Sequence, residues 1–254
     1  MPPASTSRFP SRSRGAFERR HADPCYAQGE RGTGKTALAR LIHHPRSRRR
    51  CEPFVVVDCA TVHEDAVRPM LCGVVEQGVR VPGLFDSVGA GSILFEDIDR
   101  CGSRMQFVLR DVLDFKGFRP DSGHERIPFA GRILATSSSR PSPENMVPAF
   151  YYHVFKHRLD SLRDREDLPV ILCDALRRSA VAARRSYIEG FEAQALDRLA
   201  RYAWPGNFRE LRHAVDIAVH RCDVPLVRLT DLPAEIVAHA HVVGLRTVPW
   251  PKAA

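Results

Sequence analysis

Residues 29–36 read GERGTGKT, and the six that follow, ALARLI at 37–42, continue as a helix. The octet fills every fixed position of GxxxxGK[ST], a pattern that suits phosphate binding for reasons of backbone shape and charge. Gly29, Gly32 and Gly34 allow turns closed to other residues, so that successive amides converge on phosphate oxygens at a helix N-terminus. Lys35 supplies positive charge to the β- and γ-phosphates, and the Thr36 hydroxyl is positioned to ligate Mg²⁺. A glycine-rich turn that matches by chance is the bland alternative, and three glycines followed by Lys-Thr at a helix start weigh against it. The expected cofactors are ATP and Mg²⁺, and the expected cofactor-binding residues here are Gly29, Glu30, Gly32, Thr33, Gly34, Lys35, Thr36 and Ala37. CYAQ at 25–28 makes an apolar-poor strand for entering such a loop.

The whole chain bounds this reading. At 254 residues, with 44% hydrophobic and 27% charged, it is long enough for a full core plus a small companion domain. No run approaches the roughly 18 apolar residues that a membrane span needs, and MPPASTSRFPSRSR at the start has no apolar stretch for a secretory signal, so a cytoplasmic location is expected. The cysteines are scattered without CxxC spacing and the histidines are dispersed, which predicts reduced thiols and no transition metal. The net charge of +8 favours polyanions, though an Arg-rich compositional bias explains it equally well. Lysine is scarce (Lys35, Lys116, Lys156 and Lys252), which makes Lys35 informative.

Residues 1–20 predict a basic flexible tail. From 21 to 172 short apolar runs alternate with helical sequence: FVVVD at 54–58, ILFEDI at 93–98 and RILAT at 132–136. Nearly continuous apolar strands between helices indicate a parallel sheet covered on both faces, an α/β fold. From 173 to 237 the pattern turns helical, with apolar spacing at Phe191, Ala195, Leu196 and Leu199, then at Leu211, Val215, Ile217 and Ala218. WPGN at 204–207 separates two helices and offers Asn207 as an N-cap. Residues 238–254 read as a tail.

A hydrolytic phosphate loop needs an acidic partner at the end of a neighbouring strand, and ILFED at 93–97 ends in two carboxylates. In such a strand one carboxylate holds Mg²⁺ and the next polarises the attacking water. The usual Asp-Glu order is reversed: Glu96 stands on the metal side, together with Thr36, and Asp97 on the catalytic side. An exposed strand end is the competing reading, and coupling to the loop favours the functional one.

With these motifs in hand, the chain resembles the AAA+ ATPase domain of the sigma-54-dependent transcriptional activators over about residues 25–237. The marks are GERGTGKTALARLIH, PFVVVDCA, GLFDSVGAGSILFEDID, RILATSS, LRDREDLP, YAWPGNFRELRHAVDIAV and VRLTDLP, in that order. The resemblance implies a P-loop AAA+ three-layer parallel sheet with a small C-terminal helical lid domain. It also implies an oligomeric ring, either of one chain or mixed, and work on RNA polymerase holoenzyme or other transcription regulators. It adds Arg209 as the residue that reaches the γ-phosphate and Ser138 as the polar sensor beside the catalytic acid.

Three departures from the family pattern bear on function. VVEQGVRVP at 74–82 replaces the longer insertion that carries GAFTGA, His153 stands where the family places an arginine finger, and no DNA-binding module is expected after Pro233. Two readings stay open: an ATP-binding transcription regulator of the sigma-54 interaction domain type with weakened hydrolysis, and a catalytically degenerate scaffold or regulatory partner of an AAA+ ring. A third, a nucleic-acid module using the basic surface, predicts salt-dependent DNA affinity that survives loss of Lys35.

Overall fold

The computed structural model describes residues 24–43, 51–139 and 155–238. The expected tail at 1–20, the stretch holding His153 and all but the first residue of the expected C-terminal tail lie outside them. By contacts the chain divides into two units: one holds residues up to Gly29 and Gly34–Leu159, the other Glu30–Thr33 and residues from Asp160 onward.

The first unit is built on one five-stranded parallel sheet. Its strands are β1 (Cys25–Gln28), β2 (Phe54–Asp58), β3 (Ser92–Glu96), β4 (Arg132–Ser137) and β5 (Phe155–Arg158), in spatial order β2, β3, β4, β1, β5. Side chains alternate across a strand, and in the central strands β3 and β4 both faces are buried. Ile93 and Phe95 join Tyr26, Ile133 and Ala135 in one apolar cluster, while Leu94, Leu134 and Cys25 join a second on the other face. The first cluster is covered by α2 (Val67–Cys72), α3 (Leu84–Val88) and α4 (Ser103–Phe115), through residues such as Leu71, Phe85 and Leu109. The second is covered by Ala39 and Ile42 of α1 (Lys35–His43). Each fully buried Leu, Ile or Phe contributes about 1.5–3 kcal/mol, so this double coverage holds the unit together.

β1 shows why apolar content alone misjudges a strand. CYAQ lies between β4 and β5, with Tyr26 only 1% exposed, so its neighbours bury it whatever its own polarity. The register sets Gln28 beside Ser137, which brings the ends of β1 and β4 together where the phosphate loop begins. VVEQGVRVP folds as an antiparallel hairpin of Val74–Glu76 and Val79–Val81. Its tip, Gln77 (φ 50°) and Gly78 (φ 77°), has the positive φ pair of a tight hairpin turn matched to strand twist.

The second unit contains α5 (Leu168–Ala182), α6 (Ala193–Arg201), α7 (Asn207–Arg221) and α8 (Ala234–Ala238). Leu172, Leu176, Ala195, Leu199, Leu211, Val215 and Ala218 form its core, in accord with the helical spacing. Trp204 is completely buried and donates its indole N–H to the Leu199 carbonyl at 3.0 Å. The expectation of helices alone needs one correction, because Gly190–Phe191 pairs with Leu226–Val227 in a short parallel ribbon.

Asn207 is also not an N-cap. It is the first residue of α7, at φ 51°, in the left-handed region that Asn tolerates better than most residues. Its carboxamide reaches distant chain segments, and Glu210 accepts the Gly206 amide at 2.7 Å in place of a side-chain cap from Asn207. Cys25, Cys59, Cys72, Cys101 and Cys222 are buried thiols, Cys51 and Cys173 are exposed, and none is paired. Among the described residues no helix is long and apolar enough to cross a membrane.

Candidate nucleotide-binding site

In the first unit α1 starts at Lys35, directly after Gly34 at φ 96°. The first-turn amides of any helix lack an intrahelical carbonyl and point out of its N-terminus. Leu38 is the first to bond back, to the Gly34 carbonyl at 2.9 Å. Positive φ occurs at Gly34 and Gly32, where a glycine is required, but not at Gly29, which corrects the expectation that all three need it. Gly29 donates its amide to the Ser137 carbonyl at 3.2 Å, an ordinary strand-end bond.

Lys35 is 9% exposed and donates its Nζ to the Gly29 carbonyl at 2.8 Å and to Ser138 Oγ at 3.4 Å. Thr36 Oγ1 donates to a carboxylate oxygen of Glu96, the last residue of β3. Asp97 follows in the left-handed region (φ 50°, ψ 51°), with its amide donating to Thr136 Oγ1 at 3.4 Å and its Oδ1 accepting from Ser138 Oγ at 3.5 Å. Lys35, Thr36, Glu96, Asp97 and Ser138 therefore gather at the C-terminal ends of β3 and β4. The contacts at 3.4 and 3.5 Å are long and weak, so an incoming polar group can displace them.

Three residues that the sequence reading passed over complete this end of the sheet. Ser137 Oγ accepts the Ser139 amide at 3.0 Å and donates to the Ser139 carbonyl at 3.0 Å, while Ser139 Oγ donates to Asp99 Oδ2 at 2.6 Å. Partial burial opposes ionisation of Asp99, yet the serine hydroxyls around it outweigh that and hold its carboxyl below the usual range. Asp99 Oδ1 and the Tyr26 hydroxyl are both buried without a hydrogen-bond partner among the described residues. Burial pushes the Tyr26 phenol up to about 12. A run of three serines beside an acidic turn was the available signal, but nothing local indicates which serine meets which carboxylate.

Glu30–Thr33, the middle of the phosphate loop, is grouped with the second unit. There Arg163 grips both oxygens of Glu30, at 2.9 Å for Nη1 to Oε2 and with Nη2 on Oε1. Asn207 Nδ2 donates to Glu30 Oε2 at 3.2 Å and to the Arg31 carbonyl at 2.9 Å, its Oδ1 accepts the Leu162 amide at 2.7 Å, and the Phe208 amide donates to the Gly32 carbonyl at 3.0 Å. The fork of Arg163 holds the Glu30 carboxyl down at about 2. A Cβ on Gly32 (φ 81°) would meet the Gly206 carbonyl oxygen at 2.1 Å. The Glu30 side chain is thus committed to Arg163, leaving its backbone to the loop. Arg209 is exposed on the first turn of α7.

Comparison with known proteins finds two family matches along the chain. Residues 16–161 match the sigma-54 interaction domain, and residues 163–244 match an AAA+ ATPase lid domain. The chain is 31% identical over 222 residues to the regulatory protein AtoC of Escherichia coli K12, covering 82% of this chain and 47% of AtoC. It is 30% identical over 223 residues to the transcriptional regulatory protein ZraR of Salmonella typhimurium, covering 83% of this chain and 50% of ZraR. The chain thus spans about half the length of these relatives. Among solved structures, NtrX from Brucella abortus in complex with ADP superposes with a TM-score of 0.73 at 24% identity, covering 91% of this chain and 55% of that one.

Proposed function

The chain belongs to the sigma-54 interaction domain family of AAA+ proteins, and we propose that it binds ATP at the α1 N-terminus and acts in transcription regulation. The observation that carries the nucleotide reading is the convergence of Thr36, Glu96, Lys35, Ser138 and Asp97 where β3 and β4 end beside the start of α1. The ADP bound to NtrX and the names of AtoC and ZraR support the rest. In this reading the first-turn amides and the Lys35 ammonium bind the phosphates, and a bound triphosphate takes over the weak Lys35–Ser138 contact.

A threonine hydroxyl already bonded to a carboxylate is a hard-oxygen donor set of the kind that Mg²⁺ takes. Thr36 and Glu96 would hold the ion, which when bound would neutralise charge on the phosphate oxygens. Asp97 Oδ1, with Ser138 Oγ beside it at 3.5 Å, accepts the proton of a water directed at the γ-phosphate, and Arg209 is the residue that the family resemblance assigns to the same group. The products are ADP and phosphate. The chain works in a ring, of its own copies or mixed, with RNA polymerase holoenzyme or other transcription regulators as partner.

One feature favours a second reading, a nucleotide-binding scaffold. Asp97 is one methylene shorter than the usual catalytic glutamate, and a misplacement of about 1 Å costs on the order of a hundredfold in rate. Calorimetric titration with Mg-ATP, followed by turnover as a function of protein concentration, separates the two. A ring enzyme gains specific activity on assembly, a scaffold stays flat, and folded protein that takes up no Mg-ATP ends both.

A further inference from the structure

We infer that Asp99 is a positioning residue for the Ser138 hydroxyl, acting through Ser139 and Ser137; the inference rests on the nucleotide reading of this site. β4 ends at Ser137, and the next residues must turn. Ser138's own contacts, 3.4 Å from Lys35 Nζ and 3.5 Å to Asp97 Oδ1, are too long to fix it. Its neighbours are held far more firmly. Ser137 Oγ bonds both the amide and the carbonyl of Ser139, and Ser139 Oγ donates to Asp99 at 2.6 Å, a short charge-assisted bond of the strong class.

Asp99 itself sits on a fixed base. It lies in the single helical turn Ile98–Arg100, anchored by the buried Ile98 and by the Arg100 amide on the Asp97 carbonyl at 2.8 Å. One carboxylate therefore ties the end of β4 to the turn that carries Asp97, and Ser138 spans the gap between them. The sequence places this device two residues beyond Asp97, where its carboxylate touches neither Lys35 nor Thr36 in any bond of the described residues.

Stability alone does not account for Asp99. Its Oδ1 is buried without a partner among the described residues, an arrangement that costs free energy relative to a satisfied or apolar group. The hydroxyls of Ser139 and Ser137 beside it offset this at best in part. Removing the carboxylate is therefore expected to disturb the serine turn more than the fold.

The test uses the full chain as wild type, Asp99→Ala, Asp99→Asn, Ser139→Ala and the double variant Asp99→Ala/Ser139→Ala. Each is measured for Mg-ATP affinity, turnover and, without nucleotide, hydrogen exchange at the Ser138 and Ser139 amides. The expected result is a loss of about tenfold in kcat for each alanine variant with affinity within about twofold, and faster exchange at Ser139. Asp99→Asn, which keeps an acceptor for the Ser139 hydroxyl, recovers most of the loss, and the double variant is no worse than either single one.

Wild-type kcat and exchange in Asp99→Ala overturn the inference, as do additive losses or a parallel fall in affinity and melting temperature. If wild type binds Mg-ATP without turning it over, its preference for ATP over ADP replaces kcat as the readout. If wild type binds no Mg-ATP, the nucleotide reading fails and the role for Ser138 falls with it. Unchanged exchange with binding intact condemns the Asp99 inference alone.

Discussion

The second residue of α1, Thr36, donates its hydroxyl to the last residue of β3, Glu96, across a sequence separation of 60 residues. That bond ties the start of the helix to the acidic end of the strand and settles which carboxylate faces the threonine. Asp97, next along, turns into the left-handed region and faces Ser138 instead. The two acids of ILFED are thereby given different neighbours, and different roles become testable.

Lys35→Ala should lower Mg-ATP affinity about a hundredfold, the scale of a lost charge-assisted hydrogen bond. It should leave the fold intact, because the ammonium's contacts to Gly29 and Ser138 are not core packing. Calorimetry paired with a thermal melt checks both halves. Affinity equal to wild type would remove the loop from the site.

Asp97→Asn should abolish turnover while sparing binding, and Glu96→Gln should weaken the magnesium dependence of binding. The exchanged pair Glu96→Asp/Asp97→Glu restores the usual order of the acids. If the reversed order is what slows the reaction, the exchange should raise turnover by about tenfold to a hundredfold. Steady-state kinetics on the three variants decides it, and no gain in the exchanged pair would point to a cause elsewhere.

Gly32→Ala should destabilise the second unit by about 1–3 kcal/mol, since the added methyl meets the Gly206 oxygen at 2.1 Å and the backbone stands at φ 81°. Denaturant unfolding measures it. A change below 0.5 kcal/mol, the scatter of neutral surface substitutions, would show that the loop relaxes freely.

Glu30 carries a pH signature. Its folded value of about 2 lies below the ordinary glutamate value of 4.5, so the Arg163 pairing adds stability above about pH 4.5 that fades as pH falls toward 2. The partners are 40% and 41% exposed, so solvent screening keeps the contribution at about 1 kcal/mol or less. Arg163→Ala should therefore be less stable than wild type at pH 6, with the gap narrowing at pH 3. A gap that stays constant between those pH values would rule the pairing out as its source.

The phosphate loop and the acidic strand were legible because their chemistry is local: contiguous glycines, a lysine and an apolar run ending in carboxylates. The two central strands, β3 and β4, were legible because both of their faces are buried, which leaves continuous apolar runs. What stayed hidden was long-range. Arg163 lies 133 residues from Glu30, and Asn207 lies 176 from Arg31 and 45 from Leu162. Asn207 looked like a cap because Asn before a helix usually is one, yet its left-handed backbone sends the carboxamide elsewhere. The serine turn was invisible for a related reason: three identical side chains in a row give no hint of their separate directions.

The hairpin at Val74–Glu76 and Val79–Val81 makes the domain a natural recipient for transplantation. A Cβ at Gly78 would meet nothing within 4 Å, and its two-residue tip is the kind of exposed bend that accepts inserted chain. A longer segment can be spliced between Gln77 and Gly78 at that exposed tip. Such an insertion would ask directly whether the domain keeps its fold and its Mg-ATP affinity when this finger is lengthened.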